Sequence, residues 1–221
     1  AVVVEAALGP THQHAVSIRQ NRDRNRLRRT DISAWHARQI RSFDDAKLNE
    51  RLKELWGEVR ETSEDKQKQL VQLRDQLPTE LLAKADVAKG QAIFEKSCGN
   101  CHALFGKGAA IGPDLTGANR GNLQYLLENI VDPSASVAAD FRTSAVVLHD
   151  GRTVTGVVSH PTPRAVAVQT ATEKLTLPKD EIDEIRPTTL SLMPEGLFNT
   201  LTSEQVRDLI AFLMTRPPGQ R

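Results

Sequence analysis

The most informative stretch of this chain reads Cys98-Gly99-Asn100-Cys101-His102. Two cysteines separated by two residues and followed at once by a histidine form the C-x-x-C-H pattern of covalent haem attachment. In such a site the two thiols bond to the haem vinyl groups and the imidazole binds the iron. The stretch therefore predicts a haem site with Cys98 and Cys101 as attachment points and His102 as an iron ligand.

Two other interpretations of the cysteine pair stay open at this point. The pair is compatible with half of a zinc site, but such a site needs four nitrogen or sulfur ligands and the chain has only 2 cysteines. A redox dithiol usually lies in a strand-helix-strand pattern, which the flanking sequence lacks. Haem is therefore the favoured interpretation.

The composition allows a packed core and gives no sign of a charged partner. Of the 221 residues 39% are hydrophobic but only 4% aromatic, so a haem would supply apolar surface that aromatic side chains do not. The formal net charge of +1 gives no argument for nucleic-acid or membrane-surface binding. No apolar run in the sequence reaches the length of a membrane span.

The chemistry of attachment also bears on location. Haem is joined to cysteines outside the cytoplasm, so we expect a periplasmic or otherwise exported protein. Residues 1–5 lack the charged region of a signal peptide. We therefore expect a mature form or a fragment of a longer exported protein.

Residues 1–80 predict a helical module without chemistry of its own. Its arginine-rich part, residues 19–29, has no interleaved aromatic residues and is typical of a solvated face, and we expect His12 and His14 to be surface residues. Apolar residues at helical spacing then predict three short helices before Pro78. These residues are Ile32, Trp35 and Ile40; Leu48, Leu52, Leu55, Trp56 and Val59; and Leu70, Leu73 and Leu77. We expect both tryptophans to pack in a core.

Residues 81–221 predict a second unit, which contains the haem stretch. Asp86 is placed to cap a helix that leads into Cys98. Gly90 lies inside this helix, where glycine costs about 1 kcal/mol relative to alanine and usually marks the close approach of another backbone. The expected partner is the last helix of the chain.

Two signals support that last helix. Thr202 and Gln205 have the spacing of a capping box, and apolar residues then recur at helical intervals. Phe212 is placed to meet Gly90 or Phe94 of the earlier helix. We therefore expect these two helices to cross near Gly90.

A period of two replaces the helical period after a short helix predicted for residues 122–131. Alternating segments cover residues 143–148, 153–158, 165–169 and 174–177, and a fifth begins near Ile182. Asp150-Gly151 between the first two predicts a hairpin turn. We expect a small antiparallel sheet or barrel inserted at about residues 141–186, with spacing weakly similar to an Sm or SH3-like barrel, in a fold that is otherwise mainly α.

Several motifs follow one another in an order that is characteristic of one family. They are Gly90, Phe94 and the C-x-x-C-H stretch; Gly112-Pro113-Asp114-Leu115; Met193-Pro194; and Leu201-Thr202 with Glu204, Leu209, Phe212 and Leu213. Over roughly residues 86–215 this order resembles class I cytochrome c, with the sheet as an insertion. More narrowly, the insertion and the run Ser191-Leu192-Met193-Pro194-Glu195-Gly196-Leu197 are similar to a haem-binding C-terminal domain of large exported proteins of the Planctomycetes and Verrucomicrobia type. That resemblance implies that residues 1–80 are the tail of an upstream domain.

The resemblance implies roles for individual residues. Cys98 and Cys101 hold one haem c, and His102 is the proximal iron ligand. The carbonyl of Pro113 accepts the other imidazole N–H of His102, which fixes the ring. Met193 is the distal iron ligand.

Some assignments at the haem stay open in the sequence. His149, His160 or an open position are the alternatives to Met193 as distal ligand. Met214, the other methionine, lies beside expected core positions, where packing explains it. Arg120 and Tyr125 are candidates for bonding a haem propionate, with an ordinary surface role as the alternative for each.

The resemblance implies one-electron transfer from an exported dehydrogenase domain or subunit to another periplasmic cytochrome. The sequence contains no Ser-His-Asp order, carboxylate pair or phosphate loop, so we expect no enzyme activity of this chain by itself. Two other functions stay open: a haem-based ligand sensor with a displaceable distal ligand, and a protein-interaction module in which haem is structural.

Overall fold

The computed structural model describes residues 32–216, apart from the side chains of His160 and Pro161. The arginine-rich run, His12 and His14 lie outside the described residues, as does the side chain of His160. The helices are α1 (Ala34–Arg41), α2 (Ala46–Leu55), α3 (Glu64–Asp75), α4 (Thr79–Leu82), α5 (Val87–Ser97), α6 (Leu123–Val131) and α7 (Ser203–Leu213). The strands are β1 (Gly57–Val59), β2 (Ser136–Ala138), β3 (Arg142–Leu148), β4 (Thr153–Thr162), β5 (Ala165–Gln169), β6 (Lys174–Pro178) and β7 (Ile182–Ser191). No helix among residues 32–216 is long and apolar enough to cross a membrane.

The first helices form a small core around Trp56. Helix α2 begins after Asp45, whose carboxylate accepts the N–H of Leu48 at 3.0 Å. Trp56 follows the helix with only 2% of its surface exposed, and its indole N–H donates to the carbonyl of Ile32 at 2.7 Å. The core role expected of Trp56 is confirmed.

The chain after Trp56 leaves the helix and forms a strand. The helical spacing of Val59 predicted a continuation of α2, and this prediction is wrong, because Val59 lies in β1. Gly57 takes a φ of +147° and pairs with Ala138 of β2. A side chain at Gly57 would start 2.4 Å from the carbonyl oxygen of Val137, so only glycine allows this pairing.

Helices α5 and α7 cross at Gly90, as the sequence predicts. A Cβ at Gly90 would lie 2.0 Å from the carbonyl oxygen of Asp208 and 2.8 Å from Cβ of Phe212. The rings of Phe94 and Phe212 stack at a tilt, with centroids 5.5 Å apart. The capping box of Thr202 and its helix are also present. The prediction of this helix pair is confirmed.

One hydrophobic cluster joins α5, α6 and α7 to the preceding helices. Leu70 of α3 and Leu77 after it are 6% and 3% exposed and pack in the same cluster as Leu127 of α6 and Ile210 of α7. Burying a leucine side chain contributes roughly 1.5–3 kcal/mol. Helix α3 therefore shares one core with α5, the helix that leads into the C-x-x-C-H stretch.

The five longer strands form one antiparallel sheet with the order β6-β5-β4-β3-β7. Strands β3 and β4 pair through the predicted hairpin, in which Gly151 takes a φ of +88°. The side chains of Val146, Leu148, Val166 and Val168 form a separate small core on the sheet. The hairpin prediction is confirmed, and the sheet stands between α6 and α7 in the chain.

The expectation of a mainly α fold is wrong. Helices, counting the short 3-10 segments at residues 139–141, 179–181 and 197–200, hold 41% and strands 23% of the described residues, so the fold is mixed α and β. The prediction ended β4 at residue 158 and gave only the beginning of β7, whereas each of these strands has 10 residues, so the strand content was underestimated. Both strands contain a proline, a residue that is usually unfavourable inside a strand. Pro187 is tolerated because β7 is an edge strand, and a register shift between Ser159 and Thr162 accommodates the proline of β4.

Candidate functional site

The C-x-x-C-H stretch is a tight turn at the end of α5. The helix begins after Asp86, whose side chain accepts the N–H of Lys89, and ends with Cys98 as its cap. The carbonyl of Cys98 then accepts the N–H groups of Cys101 at 3.0 Å and His102 at 2.9 Å. Both thiols are free and partly buried. The turn therefore brings the two cysteines and the histidine to one place.

A return loop closes over this turn through backbone hydrogen bonds. The N–H of Gly112 donates to the carbonyl of Cys101 at 2.7 Å, and the N–H of Leu115 donates to the carbonyl of Ala103 at 2.9 Å. Gly108 takes a φ of +107°, where a side chain would start 2.2 Å from the carbonyl oxygen of His102. The loop thus lies directly against the backbone of the turn.

The same loop fixes the ring of His102. Nδ1 of His102 lies 2.8 Å from the carbonyl oxygen of Pro113. A carbonyl oxygen only accepts, so Nδ1 is the donor in this contact, and Nε2 is the ring nitrogen left to bind a metal. A Cβ at Gly112 would lie 2.6 Å from Cε1 of the ring. The absence of a side chain at Gly112 therefore lets the imidazole pack against the loop.

The thiol of Cys98 is held in its protonated form. Burial, and secondarily the neighbouring Cys101, raise the pKa of Cys98 to about 11. Thiol-exchange chemistry needs a lowered thiol pKa, because the thiolate is the nucleophile. The environment of Cys98 therefore disfavours the redox dithiol interpretation.

No group of three or more His, Cys, Asp or Glu residues within 32–216 is arranged to hold a metal ion.

Met193 lies in a different loop, which follows β7. Its N–H donates to Oγ of Ser191 at 3.1 Å, and the N–H of Ser191 donates to Oγ of Ser134 at 3.1 Å. The structure joins Cys98, Cys101, His102 and Pro113 through direct hydrogen bonds, whereas Met193 is attached to Ser191. Its assignment as distal ligand stays a prediction.

The other candidate ligands lie in separate places. The side chain of His149 is 61% exposed beside the hairpin turn, with Nδ1 3.8 Å from Asp183. Met214 caps the end of α7 and packs against the main core, which confirms the packing role expected of it.

Arg120 is a buried structural residue. Its side chain donates to the carbonyl oxygens of Leu115 at 2.7 Å, Thr116 at 3.3 Å, Thr215 at 2.8 Å and also Leu213. Four of the five guanidinium N–H groups are thereby bonded. These bonds tie the return loop to the end of α7. A bond from Arg120 to a propionate stays a prediction.

Tyr125 lies on α6 beside α1. Its backbone N–H donates to Oδ1 of Asn122, which caps the helix. Burial raises the pKa of the Tyr125 phenol, and the positive charge of Arg38 opposes that rise. Arg38 pairs with Glu128 of the same helix at 3.2 Å. Tyr125 therefore has its charged neighbour in α1, and its propionate role also stays a prediction.

An ionic network that the sequence analysis missed lies behind the Met193 loop. The carboxylate of Asp132 is fully buried and bonds Arg60 at 2.7 Å and Lys66 at 2.8 Å. Lys66 also bonds Glu195 at 2.6 Å. These residues come from four separate segments, so no spacing in the sequence could have grouped them. Asp132 is followed by Pro133, and this pair by itself indicates only the end of a helix.

Comparison with known proteins gives one family for this region. Residues 87–145 match the model of the cytochrome c family. The match covers α5, the C-x-x-C-H turn, the return loop and α6, and it ends in β3. No curated protein matches the chain. The match supports a haem-binding, electron-transfer role, and the cytochrome c family implies covalently bound haem c.

The residues around the turn fit such a haem. The donor set has two thiols for attachment and an imidazole whose Nδ1 is bonded to a carbonyl, which leaves Nε2 as the nitrogen that would face a metal. Apolar side chains beside the turn, among them Ile93, Phe105 and Leu115, are only partly buried and pack on the main core. Haem would cover apolar surface of this kind, which is otherwise in contact with water.

Proposed function

We propose that the unit from residue 81 to residue 221 carries one covalent haem and transfers one electron at a time. The observation that supports this best is the 2.8 Å contact between Nδ1 of His102 and the carbonyl of Pro113. It fixes the tautomer and ring orientation that a proximal ligand needs and makes the imidazole a stronger donor. When bound, haem supplies an iron couple that takes up and releases a single electron.

The residues of the chain divide the remaining work. Cys98 and Cys101 would hold the group in place, and His102 and Met193 would be its iron ligands. With a thioether and an imidazole as ligands the iron would have a raised reduction potential and no free site for small molecules. The apolar residues beside the turn exclude water. The chain itself is then a carrier, and it acts on no substrate.

The partners follow from this role. We propose that an exported dehydrogenase domain or subunit is the electron donor and that another periplasmic cytochrome is the acceptor. The resemblance to the C-terminal domains of large exported proteins supports both proposals, and it supports residues 1–80 as the tail of an upstream domain. We propose no role for nucleic acid or for membrane insertion in this electron transfer.

The visible spectrum of the full chain, expressed with haem attachment in the periplasm, tests the proposal. We expect one haem per chain and low-spin, six-coordinate iron that ignores carbon monoxide. The ferric protein should show the weak long-wavelength band of an iron–thioether bond. Met193→Ala should abolish this band and lower the reduction potential, because the thioether no longer stabilises the ferrous form.

Met214→Ala is the matched control, since Met214 packs in the core at the end of α7. This variant should keep the band. A chain that carries no haem would contradict the proposal as a whole. If Met193→Ala leaves spectrum and potential unchanged, Met193 is not the ligand. Rapid binding of carbon monoxide by the unmodified protein would favour a ligand sensor instead.

A further inference from the structure

A fully buried carboxylate lies between the amino-terminal helices and the Met193 loop. Asp132 follows α6, and its Oδ1 and Oδ2 accept from Nη2 and Nη1 of Arg60 at 2.7 and 3.1 Å. Oδ1 also accepts from Nζ of Lys66 at 2.8 Å. One buried anion thus faces two cations. Such a group needs its partners, because a charge without a partner in the interior is expensive.

Glu195 balances the second cation. Its Oε1 lies 2.6 Å from Nζ of Lys66, although 129 positions separate the two residues in the chain. The Lys66 side chain is 21% exposed and that of Glu195 50%, so Lys66 lies between the buried carboxylate and the outer one. Lys66 therefore ties the segment that contains Glu195 to Asp132.

Glu195 is two positions after Met193, and a second attachment lies two positions before it. Ser191 accepts the N–H of Met193 at 3.1 Å, and its own N–H donates to Oγ of Ser134 at 3.1 Å. Both attachments lead to the same short segment, residues 132–134. The Met193 loop is consequently held on each side against one anchor at the end of α6.

We propose that Lys66 is a positioning residue for Met193: by bridging Asp132 and Glu195 it holds the Met193 loop in place and strengthens the iron–thioether bond. This inference rests on the proposed role of Met193 as distal ligand. Lys66 belongs to α3 and Arg60 to the segment between β1 and α3, so the part of the chain before residue 80 takes part in the distal side of the haem site.

The bridge should act by changing how often the Met193 loop is closed and how often it is open. A loop that opens more often leaves the sixth position free for a competing ligand, whose apparent affinity rises with the open fraction. Ion pairs between exposed groups contribute little, but here one partner of Lys66 is fully buried, so the bridge has a defined geometry. Loss of the bridge should therefore loosen Met193 without removing any iron ligand.

Titration of the ferric, haem-loaded full chain with imidazole tests this inference. We expect Lys66→Gln and Glu195→Gln each to bind imidazole about tenfold more tightly than the unmodified protein, with a weaker iron–thioether band and a lower reduction potential. Glu195→Gln is the safer variant for folding, since Glu195 is half exposed. Lys68→Gln is the matched control, because Lys68 lies on the same helix with its side chain 71% exposed, and it should change none of these readouts.

The double variant separates positioning from general loosening of the fold. If Lys66 acts through Glu195, then Lys66→Gln with Glu195→Gln should be no worse than Lys66→Gln alone, because both changes break the same contact. Independent, additive effects would overturn the inference.

The two proposals fail in different ways. If Met193→Ala abolishes the band while Lys66→Gln and Glu195→Gln leave band, potential and imidazole affinity unchanged, the positioning role is wrong and the electron-transfer function stands. If Met193→Ala itself has no effect, the distal ligand is another residue, and the positioning role is overturned with it.

Discussion

The His102 and Met193 regions, which the proposed haem site would bring together, are built in different ways. The side of His102 is local: the contact between His102 and Pro113 spans 11 positions, and backbone hydrogen bonds close the loop between them. The Met193 side depends on residues far away in the chain, since Ser134 is 57 positions from Ser191 and Lys66 is 129 positions from Glu195. A local turn can form and be recognised in sequence by itself. A loop held by distant side chains requires the completed fold.

Asp132→Asn should have the largest effect on the distal side. An asparagine cannot neutralise Arg60 and Lys66, and because both cations are partly exposed, the loss in free energy of unfolding should be at the lower end of the about 3–5 kcal/mol that breaking a buried ionic group costs. Urea denaturation measures this loss. Asp65→Asn is the control, because the Asp65 side chain is 97% exposed and its pair with Lys68 is long at 3.6 Å. Equal stability of the two variants would contradict a network that holds the fold together.

The same network has a defined pH dependence. Burial raises the pKa of Asp132. The hydrogen bonds from Lys66 and Arg60 lower this pKa by more than burial raises it, so the net pKa lies below the ordinary value of 3.8. A lowered pKa in the folded state contributes stability that is fully present above 3.8 and is lost as the pH falls through the folded-state value. The difference between the unmodified protein and Asp132→Asn should therefore shrink in acid. Parallel curves of unfolding free energy against pH would contradict this.

Gly112→Ala should disturb the His102 side. The added methyl group would start 2.6 Å from the ring of His102, so the ring must leave its contact with Pro113. Losing the partner that orients a metal-bound histidine typically weakens the site about 10- to 100-fold. The high-spin fraction in the ferric spectrum measures this, while urea denaturation should show a smaller loss than for Asp132→Asn.

Gly117→Ala provides the control in the same loop. No atom lies within 4 Å of a side chain added at Gly117, so this variant should keep the low-spin spectrum. If Gly112→Ala is as harmless as Gly117→Ala, the ring of His102 is not held by the return loop.

The local features could be predicted from the sequence because each depends on a few neighbouring residues. The cap of Asp86 on α5, the capping box of Thr202 and the hairpin at Gly151 are all present in the structure. Even one long-range prediction was confirmed, the crossing at Gly90, because a glycine inside a helix has a steric reason that is specific. Here the glycine inside the helix was itself the signal for the crossing.

What the sequence could not supply was set by tertiary contacts. The length of β7 depends on its pairing with β3, which comes from an earlier part of the chain, and the strand content that the sequence underestimated made the prediction of a mainly α fold wrong. Val59 joined a strand because its partner, β2, comes from a distant part of the chain. Lys66 resembles any solvated lysine of a helix until the fold brings Asp132 and Glu195 to it. The spacing of charged residues in the sequence does not indicate which of them form ion pairs in the fold.

Ser191→Ala should have the smallest effect. It is also the most direct test of whether the Met193 side and the His102 side respond separately. It removes the hydroxyl that accepts the N–H of Met193 but leaves the backbone bond from Ser191 to Ser134. A single hydrogen bond of this kind contributes about 0.5–1.5 kcal/mol, so unfolding should shift little. The iron–thioether band should weaken slightly, and the high-spin signal of a released His102 should not appear.

Ser159→Ala, an exposed position in β4, should change neither readout. If Ser191→Ala also disturbs His102, the two axial positions respond to one another, and the division into a local and a distant side is wrong. If only the thioether band responds, the Met193 loop can be loosened stepwise from its two attachments while the His102 side stays intact. The strength of the distal bond is then set by residues remote in sequence, whereas the proximal bond is set within the C-x-x-C-H turn and its return loop.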